Sequence, residues 1–466
     1  MINIHEHKNH LVAVFGLGRS GLSLLHAFQQ AHIRVLAWDD QEEARNQAQA
    51  LGYELVPYER WDWKDLKALY LSPGIPHHLP TPHAVAKEAR AHNVPILCDI
   101  DLLMRACPEA TYFGITGTNG KSTTTSLVGH LLKDAGKIVE VGGNIGVPVL
   151  DLKALSKDEN YVLELSSYHL ERIEALKLDY VGLVNITPDH LERHGGMDGY
   201  INAKKRAFSS MASKLAVIGI DEETSSLLYH SLLAEKKFPL VPVSCQDSVL
   251  KGVYVRDGLL VDSFWEKREV IFDLTKLSYL RGVHNWQNAA VAYALCRAAG
   301  CSVEDLIQGL SSFKGLAHRL EVLGEIKGVQ FINDSKATNV DAARKALACF
   351  DNIYWILGGR AKDNSIDALE SFYPKIKHAY LIGEAEEIFA KALKGRVPFK
   401  KCGTLEKAVE QAYKESLKQP EKGIVLLSPA CASFDQFKNF EERGEKFREI
   451  FYALQKQSSH HKKGKA

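Results

Sequence analysis

The sequence predicts an α/β protein of three domains: an N-terminal Rossmann-like sheet, a central P-loop ATPase-like α/β domain and a C-terminal Rossmann-like α/β domain. Three observations predict it. At 466 residues the chain exceeds what one hydrophobic core usually organises, so roughly two to four domains are expected. Apolar β-branched runs alternate with amphipathic helical patterns along the whole length, as in α/β folds with mostly parallel sheets. Glycine-rich turns then fall at two strand-to-helix junctions, 16–21 and 114–120, where such folds collect phosphates.

Composition narrows the function classes. Apolar residues at 45% and charged ones at 25% match ordinary globular chains, and no run approaches the ~18 apolar residues of a membrane span. The opening MINIHEHKNH has no apolar signal core, so nothing suggests export. A formal net charge of +1 gives no broad field for steering onto nucleic acid. The 8 cysteines, at positions 98, 107, 245, 296, 301, 349, 402 and 431, include no Cys-x-x-Cys pair and read as buried, reduced thiols of a cytoplasmic protein. The polar, basic QKQSSHHKKGKA reads as a disordered tail from about residue 456, with His460 and His461 as its one metal-binding pattern.

The first block, about 1–100, opens with strand HLVAVF, then Gly16-x-Gly18-x-x-Gly21 into a helix, and a second strand ending at Asp39. Glycines there let backbone N–H groups approach a phosphate, and an acid at the next strand end can accept from a ribose hydroxyl. A glycine turn beside a solvated aspartate fits the same residues. LSPGIP, with Ser72, Pro73 and Gly74, follows a further strand on the same edge.

The second block, about 101–316, starts with strand TYFGIT, the turn GTNGKST and the helix KSTTTSLVGHLLKDAG. Ile115 stands where a strict phosphate-loop motif has glycine, yet Gly114, Gly117 and Gly120 still supply a flexible turn before a helix N-terminus. Lys121 adds charge for outer phosphates, and Ser122 or Thr123 a hydroxyl for Mg²⁺. Strand YVLELSS ends near Glu164, a candidate oxygen ligand for the cation or else a helix-capping acid. Then NITPDHLERH supplies Asp189 and His190, a possible metal ligand with its orienting partner or a structural histidine. Lys204 lies on the predicted helix MDGYINAKKRAFSSM; an ammonium repels metal, so chemistry alone makes it an exposed or phosphate-facing charge. The helix HNWQNAAVAYALCRAAG closes the block. The third, about 317–466, repeats the alternation in VQFINDS, NIYWILGG, HAYLIGE and GIVLLSPA.

Taken in order, GTNGKST, LELSS, NITPDHLERH, YINAK, HNWQNAA, AHRLE, NDSKATN and LGG resemble the Mur ligase family, whose ATP-binding middle domain is shared with folylpolyglutamate synthase. The resemblance covers all but the tail. SPACASFDQFKNFEERGEKF, GLGRSGLS, Asp39 and SPG are most similar to the D-glutamate-adding members. The resemblance implies an ATP-dependent ligase adding D-glutamate to UDP-N-acetylmuramoyl-L-alanine through an acyl phosphate, in peptidoglycan precursor synthesis.

It also implies roles. Gly16, Gly18, Ser20, Gly21, Asp39 and Ser72 to Gly74 would hold the UDP portion, and Asn144 the muramoyl portion. ATP would lie on Gly117, Thr118, Asn119, Gly120, Lys121, Ser122 and Thr123, with Asn285 and Asn288 at adenine and Arg319 and Asp334 reaching it from the third domain. Two Mg²⁺ sites would draw on Ser122, Glu164 and His190. Lys204 would be a carbamate formed with CO₂, an anion serving the metal centre, which inverts its reading as a free ammonium. Lys336, Thr338, Lys362, Ser433, Phe434 and Phe440 would form the D-glutamate pocket. A monomer with no membrane or nucleic-acid partner is expected.

Three other functions remain open on the residues: a related ligase using a different amino acid, a nicotinamide oxidoreductase resting on Gly16 to Gly21 and Asp39, and a non-catalytic nucleotide switch. The second leaves Lys121 and all that follows it unexplained. The third leaves the polar sets at both ends without a role.

Overall fold

The computed structural model describes residues 2–209, 214–265, 268–277, 279–361, 365–419, 421 and 423–463, with side chains as far as Ser458. Contacts divide the chain into two compact units, Met1–Thr275 with Val283–Ser312, and Lys276–Gly282 with Phe313–Ala466.

The first unit holds two sheets. Strands β1 (Leu11–Phe15), β2 (Arg34–Trp38), β3 (Leu66–Leu71) and β4 (Ile96–Leu97) pair in parallel in the order β2-β1-β3-β4. β1 and β3 are buried almost throughout, which is why VAVF and ALYL read as continuous apolar runs rather than alternating ones. The helix Arg19–Gln30 buries Leu24, Leu25 and Phe28. The carboxyl ends of β1, β2 and β3 therefore deliver Gly16, Asp39 and Ser72 to one edge.

The central sheet comprises β5 (Thr111–Thr116), β6 (Val139–Gly143), β7 (Asn160–Glu164), β8 (Tyr180–Leu183), β9 (Leu215–Gly219), β10 (Leu240–Ser244), β11 (Val253–Arg256), β12 (Leu259–Asp262) and β13 (Glu269–Asp273). Their order is β13-β12-β11-β10-β9-β8-β5-β7-β6. β12 and β13 run antiparallel to their neighbours, and the other pairings are parallel. The helix Lys121–Asp134 packs against Val283–Ala298, whose small alanines 289, 290, 292 and 294 are all buried and allow close approach.

The second unit has β14 (Glu321–Ile326), β15 (Val329–Asn333), β16 (Ile353–Gly358), β17 (Ile376–Ile382), β18 (Phe399–Gly403) and β19 (Ile424–Leu427), ordered β14-β15-β19-β16-β17-β18. Only β14 pairs antiparallel. The last helix, Phe440–Lys463, continues into the stretch from about 456 read as a disordered tail; the side chains of His460 and His461 lie outside the described ones. Among the described residues no helix is long and apolar enough to cross a membrane.

Candidate active site

The turn after β5 is built on two glycines with positive φ, Gly117 at +149° and Gly120 at +81°. A Cβ on Gly120 would stand 2.1 Å from Asn288 Oδ1, so the turn lies directly against the helix that holds Asn285 and Asn288. Asn288 Nδ2 donates to Asn285 Oδ1 at 3.1 Å, and Thr124 Oγ1 donates to Asn288 Oδ1 at 3.3 Å. The N–H groups of Thr118 and Asn119 are held by the carbonyl and side-chain oxygens of Asn185, both at 2.9 Å. Ser122 is buried in the helix's first turn and Thr123 follows it.

Two lysines converge on this turn. Lys121 Nζ donates to the carbonyls of Gly117 at 3.1 Å and Thr118 at 2.8 Å. Lys204, from the helix Met197–Lys205, donates to Gly117 O at 2.7 Å and lies 4.6 Å over the Tyr200 ring. It is 1% exposed, which corrects the exposed charge read from chemistry alone. Burial, then the nearby Lys121 charge, pushes its pKa well below the usual lysine range. Such an amine sheds its proton readily.

Glu164 terminates β7 beside the turn, with 2% exposure. Asn144 Nδ2 donates to its Oε1 at 2.9 Å, and Asn144 N to its main-chain carbonyl at 2.9 Å. Its other oxygen, Oε2, is buried with no hydrogen-bond partner among the described residues, whereas buried polar atoms are normally satisfied. The capping acid reading fails, since Ser166 caps the next helix.

His190 has a left-handed backbone at φ 52° and lies 3.4 Å from Asp189. Burial lowers its pKa, as do Lys121, His194 and Lys204, against Asp189, which raises it. The ring is thereby kept neutral, as metal ligation requires. Among the described residues no group of three or more His, Cys, Asp or Glu stands ready to hold a metal. The expected set is of another kind, since Mg²⁺ takes few protein oxygens and completes its shell with water and phosphate. Glu164 Oε2 fits that requirement.

On the edge of the first sheet, Gly16 has φ +94° and a Cβ there would meet Ser72 Cβ at 2.5 Å. A Cβ on Gly21 would overlap Gly16 O at 1.9 Å, so the helix is seated tightly on the turn. Gly18 is its N-cap. Asp39 accepts from Leu17 N at 2.6 Å and from Gln41 N at 2.8 Å, and Ser20 hydrogen-bonds to buried Asp99. Thus Gly16 to Gly21, Asp39 and Ser72 to Gly74 meet at one place.

Within the second unit, Leu320 N and Ser428 Oγ donate to the two carboxylate oxygens of Asp334 at 3.2 and 2.8 Å. Burial raises the Asp334 pKa to about 7, despite those bonds and the charges of Arg319 and Arg443. Lys336 Nζ lies 3.9 Å over the Phe440 ring, and Thr338 N donates to Lys336 O at 2.8 Å. Ser433 is buried and Phe434 is 62% exposed. Lys362 lies outside the described residues.

Sequence reasoning missed Arg443, 1% exposed. Its guanidinium donates to Ser335 Oγ at 3.0 Å, Ser335 O at 2.8 Å and Cys431 O at 3.1 Å, while Ser335 Oγ donates to Phe440 O at 2.8 Å. One side chain thus ties the segments bearing Lys336, Ser433 and Phe440. An arginine within SPACASFDQFKNFEERGEKF gives no sign of this in sequence. Tyr200, whose hydroxyl lies 3.1 Å from Thr118 Oγ1, and Asn185 were also unassigned.

Comparison with known proteins gives the family. A family model described as the Mur ligase middle domain matches residues 115–296, and one described as Mur ligase, glutamate ligase domain, matches 318–431. The chain is 47% identical over 455 residues to a UDP-N-acetylmuramoylalanine–D-glutamate ligase of Caulobacter vibrioides (strain NA1000 / CB15N), covering 96% of this chain and 97% of the relative. A protein of the same name from Rhodospirillum rubrum is 46% identical over 457 residues, covering 97% and 96%. Among solved structures, UDP-N-acetylmuramate-alanine ligase from Thermotoga maritima matches with a TM-score of 0.59 at 18% identity, over 96% of this chain and 99% of that one. That last likeness is one of fold.

Proposed function

The chain belongs to the Mur ligase family, with its D-glutamate-adding members, and from that premise we infer that it joins D-glutamate to UDP-N-acetylmuramoyl-L-alanine at the expense of ATP, in peptidoglycan precursor synthesis. The observation that supports this best is similarity at 47% spanning 96% of the chain, a length that carries the segments assigned to the nucleotide sugar, the phosphates and the amino acid. The oxidoreductase and switch readings account for one of these three.

A carboxylate resists amines because it is anionic and would have to expel oxide. Transfer of the γ-phosphoryl of ATP onto the terminal carboxylate of the nucleotide sugar gives ADP and an acyl phosphate. The D-glutamate amine then attacks the acyl carbon, loses a proton and expels inorganic phosphate, leaving an amide. Positioning and charge neutralisation account for most of such phosphoryl transfer. Within Gly117 to Thr123, the stretch assigned to ATP, the helix N-terminus at Lys121 to Thr123 offers backbone donors and the Lys121 charge, with Asn285 and Asn288 assigned to adenine and Arg319 and Asp334 to ATP. Ser122, Glu164 and His190 would hold Mg²⁺, which offsets phosphate charge when bound.

Lys204 is assigned as the carbamate. Its buried amine, as the free base, can add to CO₂ with loss of one proton, forming an N–C bond and an anion. The carbamate nitrogen would keep one N–H, enough for the bond that the amine makes to Gly117 O. Gly16 to Gly21, Asp39 and Ser72 to Gly74 are assigned to the UDP portion and Asn144 to the muramoyl portion. Lys336, Thr338, Lys362, Ser433, Phe434 and Phe440 are assigned to D-glutamate, whose two carboxylates call for lysine and hydroxyl donors. We take a cytoplasmic monomer as the working form; a dimer in analytical ultracentrifugation would refute it.

The test is phosphate release from ATP, with mass spectrometry of the product. Release requiring both the nucleotide sugar and D-glutamate, and a product heavier by one glutamyl residue, are expected. Release independent of either substrate would refute the reading.

A further inference from the structure

The phosphate-turn domain reaches across to the turn assigned to UDP through buried arginines. Arg172 is 3% exposed. Its Nη1 donates to Leu71 O and its Nη2 to Ile75 O at 2.9 Å, with His77 Nδ1 at 3.4 Å. Leu71 and Ile75 are the residues on either side of Ser72-Pro73-Gly74, so one guanidinium grips both ends of that turn. The turn closes on itself through Ile75 N to Ser72 O at 3.0 Å, and Ser72 N donates to Phe15 O at 3.0 Å. It also rests on Gly16, where even a methyl group would fall 2.5 Å from Ser72 Cβ. A small shift of the turn is therefore a shift of the whole nucleotide-sugar edge.

A second arginine repeats the grip. Arg193 donates to Leu79 O at 2.5 Å and Ile75 O at 3.5 Å, and is oriented by Glu171 at 2.5 Å. Glu171 also takes His77 and His194, each at 3.3 Å. By contrast, no carboxylate among the described residues forms an ion pair with Arg172. Burying a charge whose partners are carbonyls is costly, and an apolar side chain would fill the space with less penalty. Stability alone is a poor account of it; fixing two carbonyls at a set spacing is a better one, because the planar fork does what no apolar group or lysine can. Arg172 follows Glu164 across the short helix Ser167–Leu170, and Arg193 lies in the helix that His190 caps, so both grips come from chain that follows residues assigned to the metal.

We propose that Arg172, backed by the Glu171–Arg193 pair, is a positioning residue that sets the UDP-binding turn in register with the metal-binding edge, and so governs affinity for the nucleotide sugar. The proposal rests on the ligase reading above. Arg172→Lys and Arg172→Met are to be compared with the unaltered protein by steady-state kinetics and by calorimetric titration with UDP. Loss of charge-assisted bonds to both carbonyls is expected to raise the KM for UDP-N-acetylmuramoyl-L-alanine and the UDP dissociation constant about tenfold or more, leaving the KM values for ATP and D-glutamate within about twofold. Unchanged UDP affinity, or a uniform loss across all three substrates with a lower melting temperature, overturns the proposal. Should neither variant fold, Arg193→Lys, which loosens the hold on Leu79 O while Arg172 still bonds Ile75 O, receives the same measurements and the same criteria; its failure to fold as well assigns the network to folding and overturns the proposal. If the unaltered protein itself does not bind UDP, it is the nucleotide-sugar reading that falls.

Discussion

Lys121 and Lys204 direct their amino groups to the same acceptor, the carbonyl of Gly117, at 3.1 and 2.7 Å. Two cations on one carbonyl repel, and the more deeply buried one gives up its proton at lower cost. Lys121 shares a second acceptor, Thr118 O at 2.8 Å. Lys204 has the Tyr200 ring, a weaker partner for an ammonium than a carboxylate. The pair thus divides into one lysine suited to phosphate charge and one suited to reaction as a free amine.

Lys204→Ala removes the anion assigned to the metal centre and should lower kcat by about 100-fold or more, with partial rescue by a small carboxylate such as formate. Lys204→Arg should not be rescued, since it fills the space with a permanent charge. Steady-state phosphate release with added carboxylate checks both, and full activity of Lys204→Ala would remove the role.

Glu164 presents the converse case, an acid oxygen lacking a hydrogen-bond donor among the described residues. Glu164→Gln keeps an oxygen for Asn144 but loses the charge. The Mg²⁺ concentration giving half-maximal activity should rise by about 10- to 100-fold, and the Mg²⁺-dependent rise in melting temperature in the presence of ADP should shrink. Unaltered Mg²⁺ dependence in both measurements would exclude Glu164 as a ligand.

Arg443 should behave as an organiser of the amino-acid segments. Lysine in its place cannot span Ser335 and Cys431 together, so Arg443→Lys should raise the KM for D-glutamate about tenfold and leave that for the nucleotide sugar unchanged. Kinetics with each substrate varied in turn would detect it. Equal changes in both KM values would point to general loosening.

Strands, the glycine turns and the acids at strand ends were legible because their signals are local: period, turn chemistry and a residue following an apolar run. β14 and β18 were not read as strands. β14 pairs antiparallel at a sheet edge, and FKKCG in β18 has exposed lysines at 400 and 401, so neither shows a buried run. Lys204 was misjudged on chemistry alone because its burial depends on Gly117 and Tyr200, brought together only by folding. Arg172, Arg193 and Arg443 look like surface charges in sequence, and all their carbonyl partners but Cys431 lie far along the chain.

Asp334 supplies a prediction in pH. Its carboxyl, buried near Arg319 and Arg443, has a pKa of about 7 in the folded protein against an ordinary 3.8. A folded pKa above the unfolded one means that the native state holds the proton more tightly. The associated stability is complete below about pH 4 and is lost as pH rises through about 7, at a slope of up to about 1.4 kcal/mol per pH unit between them. Asp334→Asn removes this dependence, so its stability relative to the unaltered protein should improve steadily from pH 4 to 7 and then level off. Denaturant unfolding of the two proteins, probed by a signal from the second unit such as the buried Trp355, measures the difference directly. A constant difference across that range would mean that Asp334 stays ionised, with Arg319 and Arg443 outweighing its burial.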